Sequence, residues 1–105
     1  MLIIETTVFT RQVKGLLSDD EYGELQTALA RHPAAGSLIV GSGGLRKFRW
    51  GGKRRGKRGG VRVIYYWAVK REQLLMLLIY PKSQQDDLTP LQIRILKKIV
   101  EKEYL

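Results

Sequence analysis

The chain has 105 residues, 44% of them hydrophobic and 28% charged, with no cysteine and a formal net charge of +9. This size suits one domain, residues 1–105, around a single modest core, and the hydrophobic content excludes wholesale disorder. The absence of cysteine excludes disulfides and thiolate metal sites, and a lone His32 ahead of Pro33 excludes a histidine metal cluster, so no cofactor is expected.

The segment "LIIETTVF" is rich in β-branched and apolar residues and predicts a first strand over Leu2–Phe9. Val13, Leu16 and Leu17 follow at helical spacing, in a short helix weakened by Gly15. A stronger helix starts at Ser18. This serine and Glu21 have the spacing of a capping box, and Asp19 and Asp20 fall at the positive end of the helix dipole. Tyr22, Leu25, Ala28 and Leu29 share one face, and His32-Pro33 ends the helix. Two antiparallel helices packed on a sheet are expected.

From Pro33 onward the period changes to two. "LRKFRW" alternates Leu45, Lys47 and Arg49 with Arg46, Phe48 and Trp50. "VRVIYYWAV" is apolar on nearly both faces and is expected at the centre of the sheet. "KREQ" turns the chain into a second two-sided strand, "LLMLLIY", so that the last three strands form an antiparallel meander. Thr89 caps the final helix and Pro90 opens it; Leu91, Ile95 and Ile99, with Leu96 and Val100 one row over, form the stripe expected to dock. The predicted order is β-α-α-β-β-β-α: an α+β fold with a mainly antiparallel sheet, two N-terminal helices packed on it and a C-terminal helix.

The charge is unevenly spread. No acidic residue occurs between Glu24 and Glu72, whereas Arg46 to Arg62 holds nine lysines and arginines. Such a patch attracts nucleic-acid phosphates or anionic membranes. The five glycines of Gly51–Gly60 oppose a basic membrane helix, so RNA or DNA is the better match. No apolar run reaches the roughly 18–20 residues of a membrane span, and "MLIIETTVF" meets an acid too early for a signal peptide; a cytoplasmic location is expected.

The basic loop has the glycine and lysine spacing of a phosphate loop from Gly51 to Lys57. Arg58, however, stands where the magnesium-binding Ser or Thr belongs, and a strand follows where a helix should begin. Gly41 to Gly44 lacks the third glycine of a dinucleotide fingerprint, because Arg46 occupies that position, and reads as a turn. Taken alone, Lys53–Arg58 is equally a solvated basic hairpin. Arg62 is different, because it lies within the strand pattern, and Lys47 and Arg49 share one strand face. Cations fixed on a sheet can do chemistry. Cleavage of RNA by a ribose 2′-hydroxyl needs a base, an acid and stabilisation of the extra negative charge. Crowded lysines can supply a neutral amine, arginine offers a phosphate fork, and no metal is required.

"GSGGLRKFRW", "GKRGGVRVIYYW", "LLMLLIYPKSQQDDLT" and the closing helix together resemble the RelE/HigB family of type II toxin–antitoxin toxins, most closely a HigB-like branch with a GKRGGxRxIYY signature. The resemblance covers essentially the whole chain. It implies a RelE-like fold and a ribosome-dependent messenger-RNA endoribonuclease that inhibits translation. It also implies a cognate antitoxin carrying a helix-turn-helix domain, with DNA contacted only through that complex and no membrane partner. Lys47 and Arg49 match the family's paired basic positions for general-base and phosphate roles, Arg62 the arginine on the scissile phosphate, and Lys82 the basic position on the leaving-group side. Arg46, Lys53, Arg54, Arg55, Lys57 and Arg58 are the expected RNA contacts, Lys57 being the nearest of them to the chemistry.

The chain departs from the family at two places. Ser83 replaces a second basic residue, and "QQDDLT" lacks the tyrosine that precedes the last helix in relatives; Trp50, Tyr80 and Tyr104 are the candidates for its role. Two other readings stay open: a non-catalytic RNA- or DNA-binding module, and a RelE-like protein that has lost activity but still binds an antitoxin.

Overall fold

The computed structural model describes residues 1–51 and 60–105. These form β1 (Leu2–Glu5), α1 (Thr7–Leu16), α2 (Asp19–Arg31), β2 (Ser37–Leu38), β3 (Leu45–Trp50), β4 (Val61–Ala68), a 3-10 turn (Val69–Arg71), β5 (Gln73–Pro81) and α3 (Pro90–Tyr104). The sheet order is β1-β5-β4-β3-β2. β1 runs parallel to β5, and the other neighbours are antiparallel. The meander and the central place of β4 match the sequence pattern. The two-residue β2 is an addition to it.

The first strand is shorter than predicted. "TTVF" has strand propensity, but Thr6 acts as a helix cap: its hydroxyl accepts from the Phe9 N–H at 3.1 Å and donates to the Leu77 carbonyl at 3.0 Å. A satisfied cap outweighs β-propensity here, and Phe9 enters the core from α1 instead of from a strand. The cap of α2 forms as expected, with Ser18 and Glu21 bonded reciprocally.

The sheet is covered on both faces. Phe9, Val13, Leu17, Leu25 and Leu29 of the N-terminal helical layer pack on Val61, Val63, Tyr65, Leu74, Met76 and Ile79. On the other face Leu96 and Val100 of α3, with Leu88, pack on Leu45, Ile64, Leu75, Leu77 and Tyr80. Each such large apolar side chain contributes about 1.5–3 kcal/mol when fully buried.

The docking row of α3 corrects the sequence expectation. Leu96 and Val100 are 5% and 3% exposed, whereas Leu91, Ile95 and Ile99 are 58%, 51% and 38% exposed. Both rows have helical spacing, so periodicity alone could not choose between them; contact with the sheet does. Ile95 and Ile99 instead border a shallow apolar groove with Val8, Leu77 and Leu78.

A bulge in β5 shapes the α3 face. Ile64 pairs with Leu78 but Tyr65 pairs with Met76, leaving Leu77 as the extra residue. Met76 and Ile79 therefore face α1 and α2, while Leu77 and Tyr80 face α3. Unbroken alternation from Met76 through this sequence, with no bulge, would turn Tyr80 to the other side. The backbone around the irregularity is satisfied from outside the sheet. Thr6 N–H donates to Met76 O, the Thr6 hydroxyl to Leu77 O, and Gln12 Oε1 accepts from Ile79 N.

Candidate functional site

The α3 side of the sheet becomes polar at one end. Arg49 pairs with Arg62, and Arg62 with Tyr80, so these three residues occupy one rung across β3, β4 and β5. Lys47 lies two residues from Arg49, and its side chain therefore shares that face. Arg62 is only 4% exposed. A cation removed from water to that degree needs a charged partner.

The loop between β5 and α3 supplies the partner. Arg62 Nε donates to Asp86 Oδ1 at 2.9 Å, and Lys47 Nζ lies 3.9 Å from the same oxygen and 2.5 Å from Asp87 Oδ1. The hydrogen bond from Arg62 holds the Asp86 carboxyl below its ordinary range, with nearby Lys47 and Arg49 adding to the effect against a smaller opposing cost of desolvation. The Tyr80 hydroxyl donates to the Asp86 carbonyl at 3.1 Å. Burial first, then Asp86 and Asp87, push the Tyr80 phenol up to about 12 against a lowering influence of Arg62. Gln85 donates to Asp87 O and to Gln92 Oε1, and Gln92 completes the Thr89 capping box, so the loop is tied to the start of α3.

Gly60 shapes the entry into β4. Its φ is +63°, and an added Cβ would strike the Trp50 carbonyl oxygen and lie 2.6 Å from Gly51 Cα. Only glycine fits there without moving the β3 and β4 ends that carry Arg49 and Arg62. The Gly60 carbonyl accepts from Lys82 N at 3.1 Å. The Lys82 side chain is exposed, and among the described residues it makes no hydrogen bond or ion pair with the cluster.

Arg46 projects to the opposite face, where its guanidinium donates to the carbonyls of Ala34 and Gly36 at 3.2 and 2.8 Å. Lys53, Arg54, Arg55, Lys57 and Arg58, expected to contact RNA, lie outside the described residues. Of the aromatic candidates, Tyr80 is at the cluster. Trp50 packs with the α1–α2 core, and the Tyr104 ring lies tilted against Tyr66 while its hydroxyl donates to Gln73. Residue order alone did not single out Asp86 and Asp87. The available signal was an acidic pair close after a strand whose neighbours carry the cations.

Beside the cluster, at the β2–β3 edge of the sheet, opens a cleft of about 610 Å³ whose lining includes Lys47, Arg49 and Asp87 together with Leu38, Ile39 and Val40. Among the described residues no group of three or more His, Asp or Glu side chains could hold a metal ion, and no helix is long and apolar enough to cross a membrane. The arrangement can bind an anion at fixed positions: two arginines on adjacent strands and a lysine converge on one end of a sheet.

No family model matches the sequence. By shape the chain is similar to a mutant of the E. coli toxin RelE in the free state, with a TM-score of 0.58 and 12% identity over 81% of this chain and 86% of that one. The chain has a RelE-like α+β fold.

Proposed function

We propose that this chain is the toxin of a type II toxin–antitoxin pair, a ribosome-dependent endoribonuclease that cuts messenger RNA and so inhibits translation. The observation that carries the reading is the convergence of Lys47, Arg49 and Arg62 on one face of a RelE-like sheet, with Lys47 and Arg62 reaching the same carboxylate. A phosphate in the place of that carboxylate meets the same cations. In the reaction, a ribose 2′-oxygen loses its proton to a base and bonds to the adjacent phosphorus. The 5′-oxygen leaves with a proton from an acid, giving a 2′,3′-cyclic phosphate and a 5′-hydroxyl. Arg62 clamps the phosphate as negative charge builds, Lys47 and Arg49 serve the base and phosphate positions, and Lys82 serves the leaving-group side. Lys53, Arg54, Arg55, Lys57 and Arg58 extend the phosphate contacts, and an antitoxin with a helix-turn-helix domain neutralises the site.

The test is expression of the chain without antitoxin, with cleavage ends mapped on translated messages. Codon-phased breaks and growth arrest are expected, and both should be lost in Arg62→Ala. Intact messages at full expression would instead support a second reading, a RelE-like binding protein without cleavage. The carboxylates on Lys47 and Arg62 favour that reading, since they oppose the charge that catalysis uses.

A further inference from the structure

We propose that the apolar groove where β5 runs past the end of β1 is a docking surface for an acidic amphipathic helix of another protein. The groove shares no lining residue with the Lys47–Arg62 cluster, so the proposal does not depend on the nuclease reading.

The lining of the groove includes Val8 of α1, Leu78 of β5 and Ile95 and Ile99 of α3. Val8 is exposed, and Leu91, also exposed, stands one turn before Ile95 in the same helical row. From Leu91 to Ile99 that row spans about 12 Å, two turns of helix. Large apolar side chains left outside the core in one row, and not singly, mark an interaction surface. The groove holds about 220 Å³, less than the roughly 300 Å³ at which small-molecule sites begin. It suits side chains brought by another chain better than a cofactor-sized ligand.

The backbone beside the groove gives an added strand little to pair with. The Leu77 carbonyl already accepts from the Thr6 hydroxyl, and the Ile79 N–H already donates to Gln12 Oε1. A partner therefore engages this surface through its side chains, which is how an amphipathic helix binds.

The charge around the groove sets the sign of the partner. Arg94, Lys98 and Lys102, all exposed, follow Leu91, Ile95 and Ile99 at a spacing of three, so a row of cations runs beside the apolar row on the solvent side. The apolar row itself ends at Glu103, one turn beyond Ile99. On α1, exposed Arg11 stands three residues beyond Val8. Among the described residues none of these four cations forms an ion pair. A helix with an apolar stripe and acidic flanks meets both features at once, as charged flanks do in coiled coils. A second copy of this chain fits poorly, because it presents the same basic rims and two chains of net charge +9 repel. A flat anionic membrane reaches the cation row but not the floor of a groove.

The experiment is titration of the full chain with three synthetic helical peptides, followed by calorimetry and backbone amide NMR shifts. One peptide has a leucine stripe flanked by glutamates, one has lysines in place of the glutamates, and one scrambles the first. The glutamate peptide should bind about tenfold tighter than the scrambled one, with shifts in α1 and α3. Ile95→Ser/Ile99→Ser should weaken it about tenfold. Lys98→Glu/Lys102→Glu, a second pair at exposed positions, should weaken it about three- to tenfold and favour the lysine peptide instead. Equal binding of the glutamate and scrambled peptides, shifts confined to the strands of Lys47 and Arg62, or unchanged binding in Ile95→Ser/Ile99→Ser would overturn the proposal. A dimer in sedimentation that Ile95→Ser/Ile99→Ser dissolves would overturn it in favour of a second copy. Binding to anionic phospholipid vesicles, but not to the glutamate peptide, would overturn it in favour of a membrane surface. Cleavage of translated messages is read separately, so the nuclease reading can fall while the docking surface stands, and the reverse.

Discussion

Arg62 Nε and Asp86 Oδ1 lie 2.9 Å apart, joining the middle strand of the sheet to the loop that leads into α3. The guanidinium is buried and the carboxylate half-exposed, so the pair holds a cation in place that burial alone would disfavour. Because Arg62 lowers the Asp86 carboxyl from its ordinary 3.8, the folded state binds that proton less readily than the unfolded chain. The resulting stabilisation is present above the unfolded value and is lost as pH falls through the lower folded one. Asp86→Asn should therefore melt earlier than the parent near neutral pH, and the difference should shrink once the pH is well below 3.8. Thermal melts across an acid series check this; a constant difference would mean that the pair does not act through its charge.

The Tyr80 phenol carries the opposite sign. Burial and the neighbouring Asp86 and Asp87 raise it to about 12, from 10.0. A raised phenol contributes stability that is fully present below the unfolded value and is lost as pH rises through the folded one. Across the neutral range Tyr80 is thus a neutral hydroxyl that donates to Asp86 O and is not a phenolate base. In an ultraviolet titration, the difference between the parent and Tyr80→Phe should contain one phenol titrating near 12. A component near 10 would mean that the phenol is neither buried nor beside the Asp86–Asp87 carboxylates.

Much of this arrangement could be read from residue order. Alternation in "LRKFRW" placed Lys47 and Arg49 together, and the apolar run of β4 with one arginine in it pointed to Arg62. Capping residues marked the starts of α2 and α3. Other features depend on tertiary contacts that leave no local trace. Thr6 looks like a strand residue until Leu77 O is there to receive its hydroxyl. "LLMLLIY" is apolar at every position but the last, so the bulge that turns Tyr80 toward Arg62 produces no break in pattern. Arg46 alternates correctly to the far face, yet its engagement with Ala34 and Gly36 depends on where the chain after α2 returns. Asp86 and Asp87 sit in an irregular loop, where no periodicity could aim them at the cations.

The docking face of α3 gives a direct comparison of two rows on one helix. Leu96 is buried against the sheet, whereas its neighbour Ile95 is half-exposed beside the apolar groove. Leu96→Ala should cost about 2–5 kcal/mol through lost burial and a residual cavity. Ile95→Ala should stay within about 1 kcal/mol, because alanine recovers helix propensity and little packing is lost. Urea unfolding of the two variants measures both. Equal losses would return the docking role to the Leu91–Ile95–Ile99 row.

Tyr65 links the core to the wall of the cleft. Its hydroxyl donates to Pro33 O at 2.6 Å and accepts from Gly36 N at 2.9 Å, while its ring is fully buried among α1 and α2 residues. Gly36 lies so close that an added Cβ would come within 2.8 Å of the Tyr65 ring, and Arg46 holds the Gly36 carbonyl from the other side. This junction sets where the chain enters β2, and β2 carries Leu38 to the cleft. Tyr65→Phe keeps the ring but leaves the Gly36 N–H and the Pro33 carbonyl without this partner, at a cost of about 1–3 kcal/mol. The loss should be local as well as global: amide hydrogen exchange at Gly36 should rise more than exchange in β4 and β5, where the ladder bonds are untouched. Exchange that rises uniformly would show that the hydroxyl supports only overall stability and does not specifically fix the β2 edge.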